Sequence, residues 1–264
     1  MEHVVEVTDE DFERTVIDGS AERPVVVDLW ADWCGPCKTL GPMLEKVAAE
    51  REGAFLLAKV DVDHTSVGNA LLQAVRSQSI PTVVAFRDGR PASMFIGAYP
   101  EVEINRFIDS ILPTEAEIGT KEAEQAAESG DVDAAEQGFR EALDEDPDNA
   151  EAGLGLAKLL VDRDAFDEAE PLIAKHLPAP EAERLRARVE VHGWTDQVSE
   201  DGTLAMAKRL AADGDWAAAL SGMAAALDDD RDAAREAMVT VFAVLGDEDP
   251  LVPEYRRRLA AALF

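Results

Sequence analysis

Apolar residues follow two different rhythms along the chain, and the change falls at Pro113. Before it, short apolar runs alternate with stretches of helical spacing. Val4, Val5 and Val7 predict a short first strand. Thr8, followed by Asp9, Glu10 and Asp11, reads as an N-cap with acids in the first helical turn, and Phe12, Val16 and Ile17 carry that helix to Gly19. Pro24 then introduces Val25-Val26-Val27-Asp28-Leu29-Trp30, a continuous run of the kind a strand buried on both faces requires. From Cys34 the spacing turns helical through Leu40, Met43, Leu44, Val47 and Ala48, with Pro42 expected to kink the helix. Residues 55–62 read as a second buried strand, and Val67, Leu71, Leu72 and Val75 as the helix after it. Ser79-Ile80-Pro81 precedes a strand over 82–86; a proline there gives no ladder donor, which suits the start of a strand and a cis bond. Arg87-Asp88-Gly89-Arg90 predicts a hairpin turn, 94–97 the returning strand, and 102–112 a closing helix.

After Pro113 strand patterns stop, alanine rises, and helical spacing takes over. The stretch also repeats itself: Ala123 recurs as Ala157, Ala135 as Ala169, Phe139 as Ile173 and Leu143 as Leu177, each 34 residues later. That is the period of tetratricopeptide repeats, in which small residues let paired helices approach and large ones fill the space between them. Gly130-Asp131 falls at the inter-helix turn, with Ala142 and Pro147 at the matching later positions. Gly214-Asp215-Trp216 starts a similar half-motif with Ala219, Met223 and Ala226. Residues 181–199 form a degenerate unit around Leu185, Val189 and Trp194, and the last two helices are expected over 232–245 and 253–264. Two domains result, 1–113 and 114–264.

Charge narrows the class of partner. The chain of 264 residues has 55 acidic and 25 basic residues, a net charge of −30, and residues 114–264 are the more acidic part. Nucleic acid and anionic membrane surfaces are excluded as partners on electrostatic grounds. The N-terminus has no basic, apolar leader pattern, and no apolar run approaches the length of a membrane span, so a cytoplasmic location is expected. The clusters Asp144-Glu145-Asp146, Asp228-Asp229-Asp230 and Asp247-Glu248-Asp249 lack calcium-loop spacing and read as solvated turns. His3, His64, His176 and His192 are scattered and receive no role. The tail, Tyr255-Arg256-Arg257-Arg258-Leu259, is basic and amphipathic; it fits either a capping helix whose arginines complement acidic neighbours or a docking element.

The two cysteines of the chain stand together in Trp33-Cys34-Gly35-Pro36-Cys37-Lys38. A zinc site needs about four ligands, and neither a second Cys-x-x-Cys nor a His pair is present. In a reducing compartment such a pair reads as working redox chemistry rather than a structural bridge. Cys34 falls at the start of a helix, where unpaired N–H groups and the helix dipole stabilise a thiolate, and Cys37 lies one turn on, close enough to attack a mixed disulfide on Cys34. Asp28, an acid within a buried strand, is either functional, paired, or a carboxylate near the strand end.

The order of elements over 1–112 resembles thioredoxin, with Val-Asp-x-Trp-Ala-x-Trp-Cys-Gly-Pro-Cys-Lys, Lys59 and Ile80-Pro81-Thr82 in family order. The resemblance implies an α/β thioredoxin fold, a mixed central sheet flanked by helices, followed by an all-α tetratricopeptide-like repeat domain. It further implies that Cys34 is the exposed nucleophile and Cys37 the buried resolving thiol. Asp28 would lie beneath Cys37 as proton acceptor with Lys59 as its neighbour. Pro81, in cis, would face the cysteines and leave the Ile80 backbone free for an extended substrate. Trp33, Gly35, Pro36 and Gly97 would complete the docking surface.

The whole architecture, ending in Leu-Gly-Asp-x-Asp-Pro and Tyr-Arg-Arg-Arg-Leu, resembles the bacterial YbbN/CnoX co-chaperones, or chaperedoxins. That implies a redox-competent co-chaperone that holds unfolded or oxidised clients and passes them to the chaperonin GroEL or to DnaK, with thioredoxin reductase as a further partner and no cofactor. Two alternatives stand beside it: a general protein-disulfide reductase with an appended scaffold, and a non-catalytic interaction module.

Overall fold

The computed structural model describes residues 3–197 and 202–263. Met1 and Glu2 of the N-terminal stretch, residues 198–199 of the degenerate unit and Phe264 of the tail lie outside the described residues. The chain divides into two compact units, Met1–Pro113 and Thr114–Phe264.

In the first unit five strands form one mixed sheet in the order β1 (Val4–Glu6), β3 (Leu56–Asp61), β2 (Val25–Trp30), β4 (Thr82–Arg87), β5 (Arg90–Ile96). β1 and β2 run parallel to β3, whereas β4 runs antiparallel to β2 and β5. β2 is central, and Val25, Val26, Val27 and Leu29 are fully buried, which is why its sequence is apolar without alternation. α1 (Gly35–Glu50) and α3 (Glu101–Ile111) cover one face through Leu40, Leu44, Val47, Ile104 and Ile108, packed against Val26, Leu57, Val83 and Ala85. α2 (Ser66–Ala74) and the N-terminal segment cover the other through Leu71 and Val16, against Val27, Leu29, Ala58 and Val60. Pro42 lies inside α1, which continues on both sides of it. The β4–β5 turn is tight, with positive φ at Asp88 and Gly89, and the returning strand begins at Arg90, four residues before the expected start.

The first helix departs from expectation. Residues Glu13–Asp18 form a π-helical turn, followed by a 3₁₀ turn over Gly19–Ala21, in place of an α-helix starting at Thr8. The Thr8 hydroxyl does not cap it; it donates to the Asp11 carboxylate at 2.9 Å. Asp9 is turned to another element altogether, accepting the Val67 N–H at 2.8 Å and the Ser66 N–H at 3.0 Å at the start of α2. Those bonds, that of Val67 foremost, hold the Asp9 carboxyl below the usual range.

Among the described residues the second unit holds helices and no strand. α4 (Glu115–Ser129) pairs with α5 (Val132–Glu145), α6 (Ala150–Asp162) with α7 (Phe166–His176), and α9 (Thr203–Ala212) with α10 (Trp216–Ala226). α11 (Arg231–Leu245) and α12 (Leu251–Leu263) close it. Thr114 and Glu117 make a capping box at α4, and Gly130, at φ 85°, ends that helix so that Asp131 can cap α5. Close helix approach follows from small residues: a Cβ on Gly138 would lie 2.9 Å from that of Ala123, and one on Gly222 2.8 Å from that of Ala207. Ala135, Phe139, Ala142, Ala157, Ala169 and Ile173 all lie in one apolar cluster, and Ala219, Met223 and Ala226 in another. The degenerate unit is one long helix, α8 (Pro180–Gln197), packed against α6, α7, α9 and α11. Its apolar residues serve neighbours on several sides, Leu185 and Val189 in one apolar cluster and Val191 and Trp194 in the other.

The basic tail forms the closing helix. Val252, Tyr255 and Leu259 are buried, while Arg256 pairs with Asp247 at 2.7 Å and Arg258 with Glu254 at 2.6 Å. Of its two expected roles, the capping one accounts for these contacts. Among the described residues no helix is long and apolar enough to cross a membrane.

Candidate functional site

β2 ends at Trp30, and a short turn delivers Cys34 to the N-cap of α1 with extended backbone. Its sulfur accepts the Cys37 N–H at 3.2 Å, the contact that favours negative charge on that sulfur when it is reduced. Pro36 sits in the first turn of α1, where a missing N–H costs no helix hydrogen bond. Cys34 and Cys37 are joined as a disulfide, with Cα atoms 5.3 Å apart. The exposure expected of Cys34 is absent in this form: Cys34 is 3 % and Cys37 5 % exposed. Both cysteines belong to the apolar cluster that also holds Leu29, Ala31 and Val60.

Around the pair, Trp33 is 69 % exposed, and its indole N–H donates to Asp63 at 2.7 Å. Ile80 packs against the same apolar cluster as the cysteines. The Ile80–Pro81 bond is cis, and no backbone hydrogen bond of Ile80 occurs among the described residues. The Gly97 N–H donates to the Pro81 carbonyl at 2.8 Å, and its φ of 96° demands glycine. Gly35 has open space where a Cβ would stand.

Register sets Asp28 beside Lys59, because the two are direct partners across the parallel β2–β3 ladder. Asp28 is 1 % exposed, and one of its carboxyl oxygens has no hydrogen-bond partner. Burial pushes its pKa up to about 7, against the pull of the Lys59 charge and with a further push from Glu45. Lys59 donates to Glu45 at 2.7 Å and lies 5.2 Å from the centre of the Trp30 ring. A cavity of about 280 Å³ is lined by Asp28, Cys37, Trp30, Glu45 and Lys59. The arrangement thus sets a carboxyl that titrates near neutrality on the same small cavity as the second cysteine.

Glu45, Trp30 and Asp63 were not singled out from sequence. Glu45 lies eight residues after Cys37 on α1, and a half-buried lysine requires a counter-charge, which was the available signal. His64, given no role, bonds Asp61 at 2.8 Å, and that carboxylate raises its pKa. Among the described residues no group of three or more His, Cys, Asp or Glu side chains is placed to hold a metal ion.

The family model for thioredoxin matches residues 3–110, and two tetratricopeptide repeat models match 126–188 and 175–264. Thioredoxin of Mycobacterium tuberculosis is 39 % identical over 109 residues, spanning 41 % of this chain and 90 % of that protein. Thioredoxin of Mycolicibacterium smegmatis is 40 % identical over 108 residues, 41 % of this chain and 94 % of that protein. An uncharacterized protein of Mycobacterium tuberculosis is 30 % identical over 282 aligned residues, spanning 99 % of this chain and 86 % of its own.

Proposed function

The chain belongs to the thioredoxin family and carries tetratricopeptide repeats behind its thioredoxin domain, and from that premise we propose that it is a redox-competent co-chaperone. In its reduced form the Cys34 thiolate attacks a client disulfide; a Cys34–client S–S bond forms and one client sulfur leaves as thiolate. Cys37 gives its proton to Asp28, and its thiolate attacks the Cys34 sulfur. The Cys34–Cys37 disulfide forms and the second client sulfur leaves, so two electrons pass from protein to client. Lys59 and Glu45 set the charge around Asp28. Trp33, Gly35, Pro36, Ile80, Pro81 and Gly97 receive the client segment, and the helical repeats hold the client or the chaperone that takes it over, GroEL or DnaK by resemblance. The site acts in the cytoplasm and uses no cofactor beyond a thiol reductant, with thioredoxin reductase the candidate.

The observation that carries this reading is the pairing of a disulfide at a helix N-terminus with a buried carboxyl that titrates near 7, in a chain whose remaining half is stacked helix pairs. Insulin reduction coupled to thioredoxin reductase tests the chemistry: turnover by the wild type and none by Cys34→Ser is expected, and an inactive wild type would reduce the thioredoxin domain to a binding module. The second reading, a general disulfide reductase with a scaffold, draws support from the 39 % identity to thioredoxin. It predicts turnover without any holding of unfolded clients.

A further inference from the structure

A groove of about 520 Å³ lies among α4, α5, α6 and α8 in the repeat unit. Its floor is apolar, made by Phe139, Ala127, Leu154 and Leu159. Gly155 leaves room for the Phe139 ring, since a Cβ there would come within 2.5 Å of it. The rim is acidic, with Glu124 and Glu128 from α4, Glu151 from α6 and Glu181 from α8. The cation on the rim, Lys158, is engaged by Asp162 at 3.1 Å.

Two of these carboxylates have a local explanation and two do not. Glu151 and Glu181 occupy the first turns of α6 and α8, where the helix dipole favours an acid. Glu128 stands in the last turn of α4, where the dipole opposes it, and Glu124 lies one turn earlier, an i, i+4 spacing that sets like charges side by side. Among the described residues none of the four forms an ion pair. Glu124 registers the crowding: burial first, then Glu151 and Glu128, hold its carboxyl above the usual range against a smaller pull from Lys121.

We propose that this groove docks an extended segment of a non-native protein in which Lys or Arg residues flank an apolar side chain. The apolar group lies on the Phe139–Leu154 floor, and the cations lie among Glu124, Glu128 and Glu151. An acidic segment meets repulsion, and a purely apolar one leaves the carboxylates uncompensated. The assignment rests on the client-holding part of the proposed function and gives it a chemical preference.

Fluorescence anisotropy with the full chain tests it, using three labelled peptides: alternating Lys with Leu and Phe, the same with Glu for Lys, and the same with Ser for the apolar residues. The first is expected to bind at least tenfold more tightly than the other two. Glu124→Gln with Glu128→Gln should weaken it about tenfold, the effect of losing two partly screened charge pairs. Glu124→Lys with Glu128→Lys should turn the preference toward the Glu peptide, a change that a misfolded variant cannot give. Equal binding of the Lys and Glu peptides, or unchanged affinity in both double variants, would overturn the assignment. Light scattering of a heat-unfolding client separates this from the premise. If the wild type suppresses aggregation yet binds none of the peptides, the groove assignment falls and the co-chaperone reading stands; if it binds the basic peptide and suppresses nothing, the co-chaperone reading falls and with it the non-native occupant, while the groove's preference for basic, apolar segments remains.

Discussion

Replacing Asp28 by Asn should stabilise the oxidised thioredoxin domain while slowing its chemistry, and the size of the first effect follows from the site. The carboxyl is 1 % exposed and its pKa stands near 7 in the fold, against a value of 3.8 for an unburied Asp. The folded state therefore holds the proton more tightly than the unfolded chain does. Stability from this group is complete below the unfolded pKa, falls as pH rises through the window between 3.8 and about 7, and is constant above it. Linkage puts the loss at about 2 kcal/mol at pH 5 and about 4 kcal/mol at pH 7 and above. Asn keeps the shape and carries no charge, so Asp28→Asn should match the wild type near pH 4 and exceed its stability by about 2–4 kcal/mol at pH 8. Hydrogen exchange of the 25–30 amides reports the stability of the central strand in both proteins at each pH. A difference that does not change with pH, or a less stable Asn variant at pH 8, would refute the account of Asp28 as a buried carboxyl that ionises at a cost.

The same cavity gives a kinetic prediction: because Glu45 pushes the Asp28 pKa up, Glu45→Gln should move the acid limb of the pH–rate profile for insulin reduction to lower pH, and an unmoved limb would mean that Asp28 does not govern it. Cys37→Ser should leave Cys34 in mixed disulfides that survive a non-reducing gel and vanish with dithiol; no trapped species would contradict the assigned roles. In the repeat unit Thr114→Ala removes one half of the capping box at α4 and should cost about 1 kcal/mol in urea unfolding, with no effect on insulin turnover.

The mixed sheet and the helical repeats were legible because each rests on a pattern that burial enforces locally. Val25 to Trp30 had to be central once its apolar run left no polar face, and the recurrence of Ala123 as Ala157 and Phe139 as Ile173 marked paired helices that pack alike. What sequence did not yield depended on contacts between distant segments. The bond from Asp9 to Ser66 and Val67 takes the acid that would have opened the first helix, and the segment winds as a π-turn instead. The Lys59–Glu45 pair joins a strand to a helix, and Trp33 meets Asp63 across thirty positions. α8 was hard to place by spacing because it packs on four other helices and its apolar residues divide between two clusters. The burial of Cys34 comes from its packing with Leu29, Ala31 and Val60, contacts between separate segments that residue spacing does not encode.

On the proposed function, thiol chemistry and the holding of unfolded clients reside in one chain but on separate surfaces. Light scattering of a cysteine-bearing client, heated with the Cys34→Ser, Cys37→Ser double variant, tests it most directly. Aggregation is expected to remain suppressed although insulin reduction is abolished. Aggregation that proceeds with the double variant as it does in buffer, whether or not the wild type suppresses it, would contradict that separation.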